Sequence, residues 1–124
     1  MIKRIAGALL GGLHLIGGLY MLLAGERWYT TTTGVAATGP YNAHFVADVA
    51  VAFIAAGLAL LARSWRARYS PAAVAGSAFL IFHALIHVAE FTQHPHDLRS
   101  TLFIAVLAAL ALWAALPTKG ESRA

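Results

Sequence analysis

The sequence predicts an all-α fold, a four-helix transmembrane bundle with both termini cytoplasmic. Three observations lead there. The chain contains four apolar stretches, each close to the roughly 20 residues that cross a bilayer as a helix. Of its 124 residues 60% are hydrophobic and only 11% charged, whereas soluble domains carry about a quarter charged residues. The basic residues, finally, fall between the apolar stretches and mostly on alternate loops. This length accommodates a single integral membrane domain, residues 1–124.

The first span is placed at Ile5–Ala24. Lys3 and Arg4 precede it, as they would a signal peptide, but its apolar run is longer than a leader's and Leu22 fits a cleavage site badly. It reads as a retained helix. Gly7, Gly11, His14 and Gly18 recur at i, i+4, i+7 and i+11, so they share one helical stripe. Glycines on a stripe let another helix, or a flat ligand, approach the backbone. The loop that follows, with Thr30-Thr31-Thr32-Thr33-Gly34, is expected to be flexible or β-like.

The second span is His44–Ala62 and the third Pro71–Phe91, joined by the short segment Arg63 to Ser70. So short a link makes these two helices antiparallel neighbours. Ser70-Pro71 offers an N-cap followed by a proline in the first turn. The fourth span is Leu98–Leu116, with Asp97 as its expected cap, Pro95 ahead of it and Pro117 behind. It is expected to serve as packing and lipid-facing wall.

Orientation follows from the loops. With the N-terminus inside, every Lys and Arg except Arg27 and Arg99 lies on the cytoplasmic side. Trp28, Tyr29 and Tyr41 then mark the outer interface, and Trp65, Tyr69 and Trp113 the inner one. A net charge of +4 without a basic stripe on any amphipathic helix argues against nucleic acid as a partner. The expected surroundings are lipid, with a homo-oligomer or another membrane protein as the candidate partner. The chain has no cysteine, which removes disulfides, thiolate metal sites and cysteine nucleophiles together.

Against this apolar background the ionisable residues stand out, because such groups are costly at bilayer depth unless paired, hydrated or bound. His83, His87, Glu90 and His94 follow i, i+4, i+7 and i+11 spacing on the third span. His44 and Asp48 lie one turn apart on the second. Because the two spans run in opposite directions, both groups arrive at similar depth in the outer half. His14 lies nearer the centre, at about the depth of His83.

Each group also has a plainer reading. A buried polar network can fix helix packing, although Ser, Thr, Asn and Gln are the usual choice. Asp48 in a first turn is favoured by the helix dipole, and His44 can sit wet at the interface. His94, His96, Asp97 and Glu26 read as solvated.

The leading expectation is a divalent transition metal held by His44, Asp48, His83, His87 and Glu90. Imidazole with carboxylate suits Zn, Fe or Mn, and enough donors are present for a two-metal centre. A b-type haem is the alternative cofactor, with His14 and His83 or His87 as axial ligands beside the glycine stripe. Proton or small-cation relay, and a structural assembly role without chemistry, are the remaining readings. No catalytic residue is assigned, and whether the chain is an enzyme stays open.

The stretch Gly39-Pro40-Tyr41-Asn42-Ala43-His44-Phe45-Val46-Ala47-Asp48, followed by the apolar run containing Gly57, resembles a pattern in small uncharacterised bacterial four-helix membrane proteins. Their general layout is similar to that of DoxX-like proteins. The resemblance implies a bundle in the bacterial inner membrane, and it carries no substrate or catalytic residue.

Overall fold

The structure, a computed structural model, describes residues 1–93, 98–118 and 120–121. Among them the chain forms five α-helices: α1 (Ile2–Leu23), α2 (Gly25–Thr31), α3 (Ala43–Trp65), α4 (Ser70–Gln93) and α5 (Leu98–Ala115). The long helices α1, α3, α4 and α5 are each long and apolar enough to cross a membrane. They correspond to the four expected spans, with α1 and α3 extended at the ends where charged residues begin.

The long helices form a ring in the order α1, α3, α4, α5, each alongside the next, with α5 returning to α1. The start of α1 and the end of α5 lie at one end. Lys3 Nζ reaches the Leu116 carbonyl at 3.1 Å, and Arg4 Nε reaches the Ser64 carbonyl at 2.7 Å. The opposite end, where α1 gives way to α2 and α3 begins, is the distal end. There Asn42 caps α3 by accepting a hydrogen bond from the Phe45 amide at 3.1 Å.

The packing inverts that of a soluble bundle. Ala56, Ala73, Ala84, Ala108, Ala111 and Ala115 make up most of the central core with Leu10, Leu60 and Leu80. Large side chains such as Leu9, Ile16, Phe82 and Phe103 face outward. Small residues inside let backbones approach until van der Waals contact holds the helices, the mode that works in an apolar solvent.

The α1–α3 seam carries this furthest. A Cβ added to Gly57 would stand 2.6 Å from the Leu15 nitrogen and 2.8 Å from the Gly11 carbonyl oxygen. One added to Gly18 would stand 2.8 Å from the Ala50 carbonyl oxygen. The glycine stripe of α1 is thus a groove filled by α3.

Three local readings of the sequence change. The Thr-rich loop is not extended: Gly25–Thr31 is helical and Val35–Thr38 forms a 3-10 turn. Glu26 sits in the first turn of α2, where the helix dipole favours it. The Thr30 and Thr31 hydroxyls donate back to the Glu26 and Arg27 carbonyls, and Trp28 and Tyr29 pack on Met21, Val46 and Ala50. Tertiary packing therefore overrides the β preference of the threonines. Ser70 does not cap α4. It is itself helical, and its hydroxyl donates to the Ala115 carbonyl, one of the free acceptors at the end of α5.

Arg63, expected in the inner loop, lies in the last turn of α3 and is 1% exposed. Its Nη2 pairs with Glu121 Oε2 at 2.7 Å, and its Nε donates to the Ala115 carbonyl at 3.4 Å. The Thr118 amide and hydroxyl donate to the same carboxylate oxygen at 2.8 and 3.0 Å. The segment after α5 is thereby clasped onto α3.

Candidate functional site

The ionisable stripe of α4 lies on the flank that faces α3. Gly76 and Phe79, seven and four residues before His83 (76, 79 and 83), fix that flank, since Gly76 abuts Ala56 and Phe79 meets Phe53 edge-on at 5.3 Å. Helical spacing then carries His83, His87 and Glu90 up the same side towards the distal end.

The two imidazoles meet. His83 Nε2 and His87 Nε2 are 3.3 Å apart, and the rings are nearly perpendicular with centroids 4.8 Å apart. On its other side His87 presents Nδ1 to Glu90 Oε2 at 3.7 Å. That is beyond hydrogen-bond length but within reach of a small side-chain rotation. Burial grades along this chain: His83 is half-buried, the His87 side chain 31% exposed and that of Glu90 56% exposed. The site thus has a sheltered end and an open end.

His14 lies deeper and apart. It is buried, and its Nδ1 stands 2.7 Å from the Leu10 carbonyl oxygen. A carbonyl only accepts, so Nδ1 carries the proton, and in the neutral ring Nε2 keeps its lone pair. The Phe53 ring separates it from His83: it stacks on His14 with centroids 5.8 Å apart and meets His83 edge-on at 5.3 Å. With α3 filling the glycine stripe, the space beside His14 is occupied by protein.

His44 and Asp48 form a pair, with Nε2 and Oδ2 3.4 Å apart and side chains 89% and 65% exposed. Together with Val51, Ala55 and Leu58 they make the outward stripe of α3. The five expected ligands therefore fall into two sets, His83–His87–Glu90 on the α3-facing flank of α4 and His44–Asp48 on the outside of α3. Among the described residues no three His, Asp or Glu side chains converge as a metal-ligand group. His94, His96 and Asp97 lie outside the described residues.

Sequence reasoning missed Phe53 and Phe79, the rings that sheathe His83. Their trace in the sequence is spacing: Phe79 precedes His83 by one turn, and Phe53 lies on the buried side of α3 one turn from Ala50 and Gly57. No family of known proteins, no curated protein and no solved structure matches this chain.

Proposed function

We propose that this chain is an integral protein of a bacterial inner membrane that holds a divalent transition metal (Zn, Fe or Mn) through His83 and His87 in the outer half of the bundle. The observation that carries the reading is the 3.3 Å between the two Nε2 atoms. Two nitrogens bound to one tetrahedral metal at about 2.0–2.1 Å stand about 3.3 Å apart. The separation matches the length of one edge of such a tetrahedron, which supports the reading.

Glu90 supports the reading in a different role from the one its spacing gave it. Metal-bound imidazoles commonly turn their second nitrogen to a carboxylate, which fixes the tautomer and strengthens the donor. Glu90 Oε2 stands 3.7 Å from His87 Nδ1, so a side-chain rotation would bring it into that relation, as a group that orients a ligand rather than one that binds the metal. With two nitrogens bound, two positions remain for other donors, water or a substrate.

The test is the metal content of protein purified in mild detergent without chelator. One Zn, Fe or Mn per chain is expected, falling at least tenfold in His87→Ala. Metal-free wild-type protein that also fails to take up added zinc would overturn the reading.

A second reading, proton relay, is favoured by the gradient from half-buried His83 through His87 to exposed Glu90. One imidazole can donate to the other, and a carboxylate stands at the open end. It predicts proton flux in liposomes that disappears in Glu90→Gln. The haem reading draws no support from the glycine stripe, which α3 fills.

A further inference from the structure

We propose that a second copy of this chain completes the metal site, with the partner's His44 and the partner's Asp48 supplying the donors that His83 and His87 lack. The proposal rests on the metal reading of His83 and His87 and adds where the remaining ligands come from.

Direction separates the two sets of donors. His44 and Asp48 point along the outward stripe of α3 with Val51, Ala55 and Leu58, whereas His83 and His87 stand on the flank of α4 turned to α3. Within one chain the two sets form no common ligand group among the described residues. A donor pair on the outside of one molecule is presented to a neighbour. The pair is already spaced as a chelate, because an imidazole and a carboxylate one turn apart approach within 3.4 Å, close enough for both to bind one ion.

Depth matches the two sets. Gly76 of α4 abuts Ala56 of α3, which sets the register of these antiparallel helices. Seven residues towards the distal end, about 10 Å, this register brings His83 level with Val49 (76 to 83 and 56 to 49). Asp48 is then level with Ala84 and His44 with Val88, each within one turn of His83 and His87. Two copies inserted in the same orientation are related by a twofold axis along the membrane normal, and such a rotation preserves depth. The partner's His44 and the partner's Asp48 therefore arrive at the level of His83 and His87, and the reciprocal contact forms a second, identical site.

The His44–Asp48 pair heads a stripe that continues into Val51, Ala55 and Leu58, so a second copy seated there would cover apolar surface together with the donors. A metal shared across a dimer supplies the counter-charge. Four donors result, three imidazoles and one carboxylate, a set that zinc accepts.

Complementation tests this with zinc as the probe. One variant carries His44→Gln and Asp48→Asn; the other carries His83→Gln and His87→Gln. Wild-type protein in detergent should bind one zinc per chain, and each variant alone should bind at least tenfold more weakly. An equimolar mixture should regain wild-type affinity, rising towards one zinc per two chains, because each mixed dimer holds one intact site. If the wild type binds zinc while the mixture binds no better than its components, or if the first variant alone matches the wild type, the ligands come from one chain. The proposal then falls and the metal reading stands. If the wild type binds no zinc, both fall. The mass of the wild-type protein in its micelle is a second measurement that needs no variant. Zinc should double it and EDTA reverse the change, and a single-chain mass at saturating zinc overturns the proposal.

Discussion

At the scale of single residues, the site turns on which nitrogen of His87 faces which neighbour. Nε2 faces His83 and Nδ1 faces Glu90, so Glu90→Gln should leave the ligand atoms in place and weaken their orientation. Loss of such a supporting carboxylate typically costs about 10–100-fold in metal affinity. A zinc titration of Glu90→Gln should therefore show unchanged stoichiometry with affinity lowered by that order, whereas His87→Ala should lose the site. Equal loss in both would make Glu90 a ligand. The stripe His83, His87, Glu90 was legible in the sequence because helix geometry alone puts i, i+4 and i+7 on one face. The approach of Glu90 to Nδ1 of His87 rather than to the paired Nε2 atoms was not, since it depends on rotamers that spacing does not set. Nor was the sheath of Phe53 and Phe79 around His83, because Phe53 arrives from another helix.

Between elements, two contacts set how α1 and the segment after α5 sit against α3. The α1–α3 seam is legible as a groove from the glycines of α1, but its partner Gly57 becomes visible only when the two helices are set side by side. Gly57→Ala forces a Cβ within 2.6 Å of the Leu15 nitrogen, so the helices must separate, at a cost of about 1–3 kcal/mol. Gly12 has nothing within 4 Å of an added Cβ, and Gly12→Ala should gain about 0.5–1 kcal/mol from helix propensity. Thermal unfolding in detergent should move down for the first and not for the second; a shared direction would contradict the seam.

The second contact, Arg63 with Glu121, escaped the sequence because a basic residue beside a loop reads as solvated, yet Arg63 falls three residues past Leu60 on the buried stripe. The Thr118 amide, then the Thr118 hydroxyl and Arg63, hold the Glu121 carboxyl below its ordinary range. A carboxyl whose folded pKa is depressed stabilises above its unfolded pKa, and that stability is lost as pH falls through the folded value. The clasp should thus be intact at neutral pH and released only below the ordinary carboxylate range. Protease cleavage after Thr118 should accelerate in acid for the wild type. In Glu121→Gln it should be fast already at pH 7 and far less pH-dependent.

The whole molecule presents large apolar side chains outward, keeps alanine and glycine within, and concentrates its cations at one end. Among the described residues Lys3, Arg4, Arg63, Arg66 and Arg68 cluster at the end where α1 begins and α5 ends, and Arg27 and Arg99 lie at the other. Part of that charge is held in place: Lys3 and Arg4 donate to helix-end carbonyls, and Arg66 lies over the Trp65 ring at 4.3 Å. The four long apolar helices were legible because length and hydropathy suffice for them. The α2 helix was not, because the packing of Trp28 and Tyr29 on Met21, Val46 and Ala50 that accompanies it cannot be read from the local sequence. On the proposed inner-membrane reading, the rule that cations flanking short loops stay cytoplasmic predicts both termini inside and the α1–α3 connection outside. A reporter active only beyond the inner membrane should therefore work when inserted at Gly34 and fail at either terminus. Replacing Arg66 and Arg68 by Glu should weaken this bias by removing the two cations least engaged in helix-end contacts. A Gly34 fusion inactive outside, with active terminal fusions, would invert the molecule and move the His83–His87 site to the cytoplasmic half.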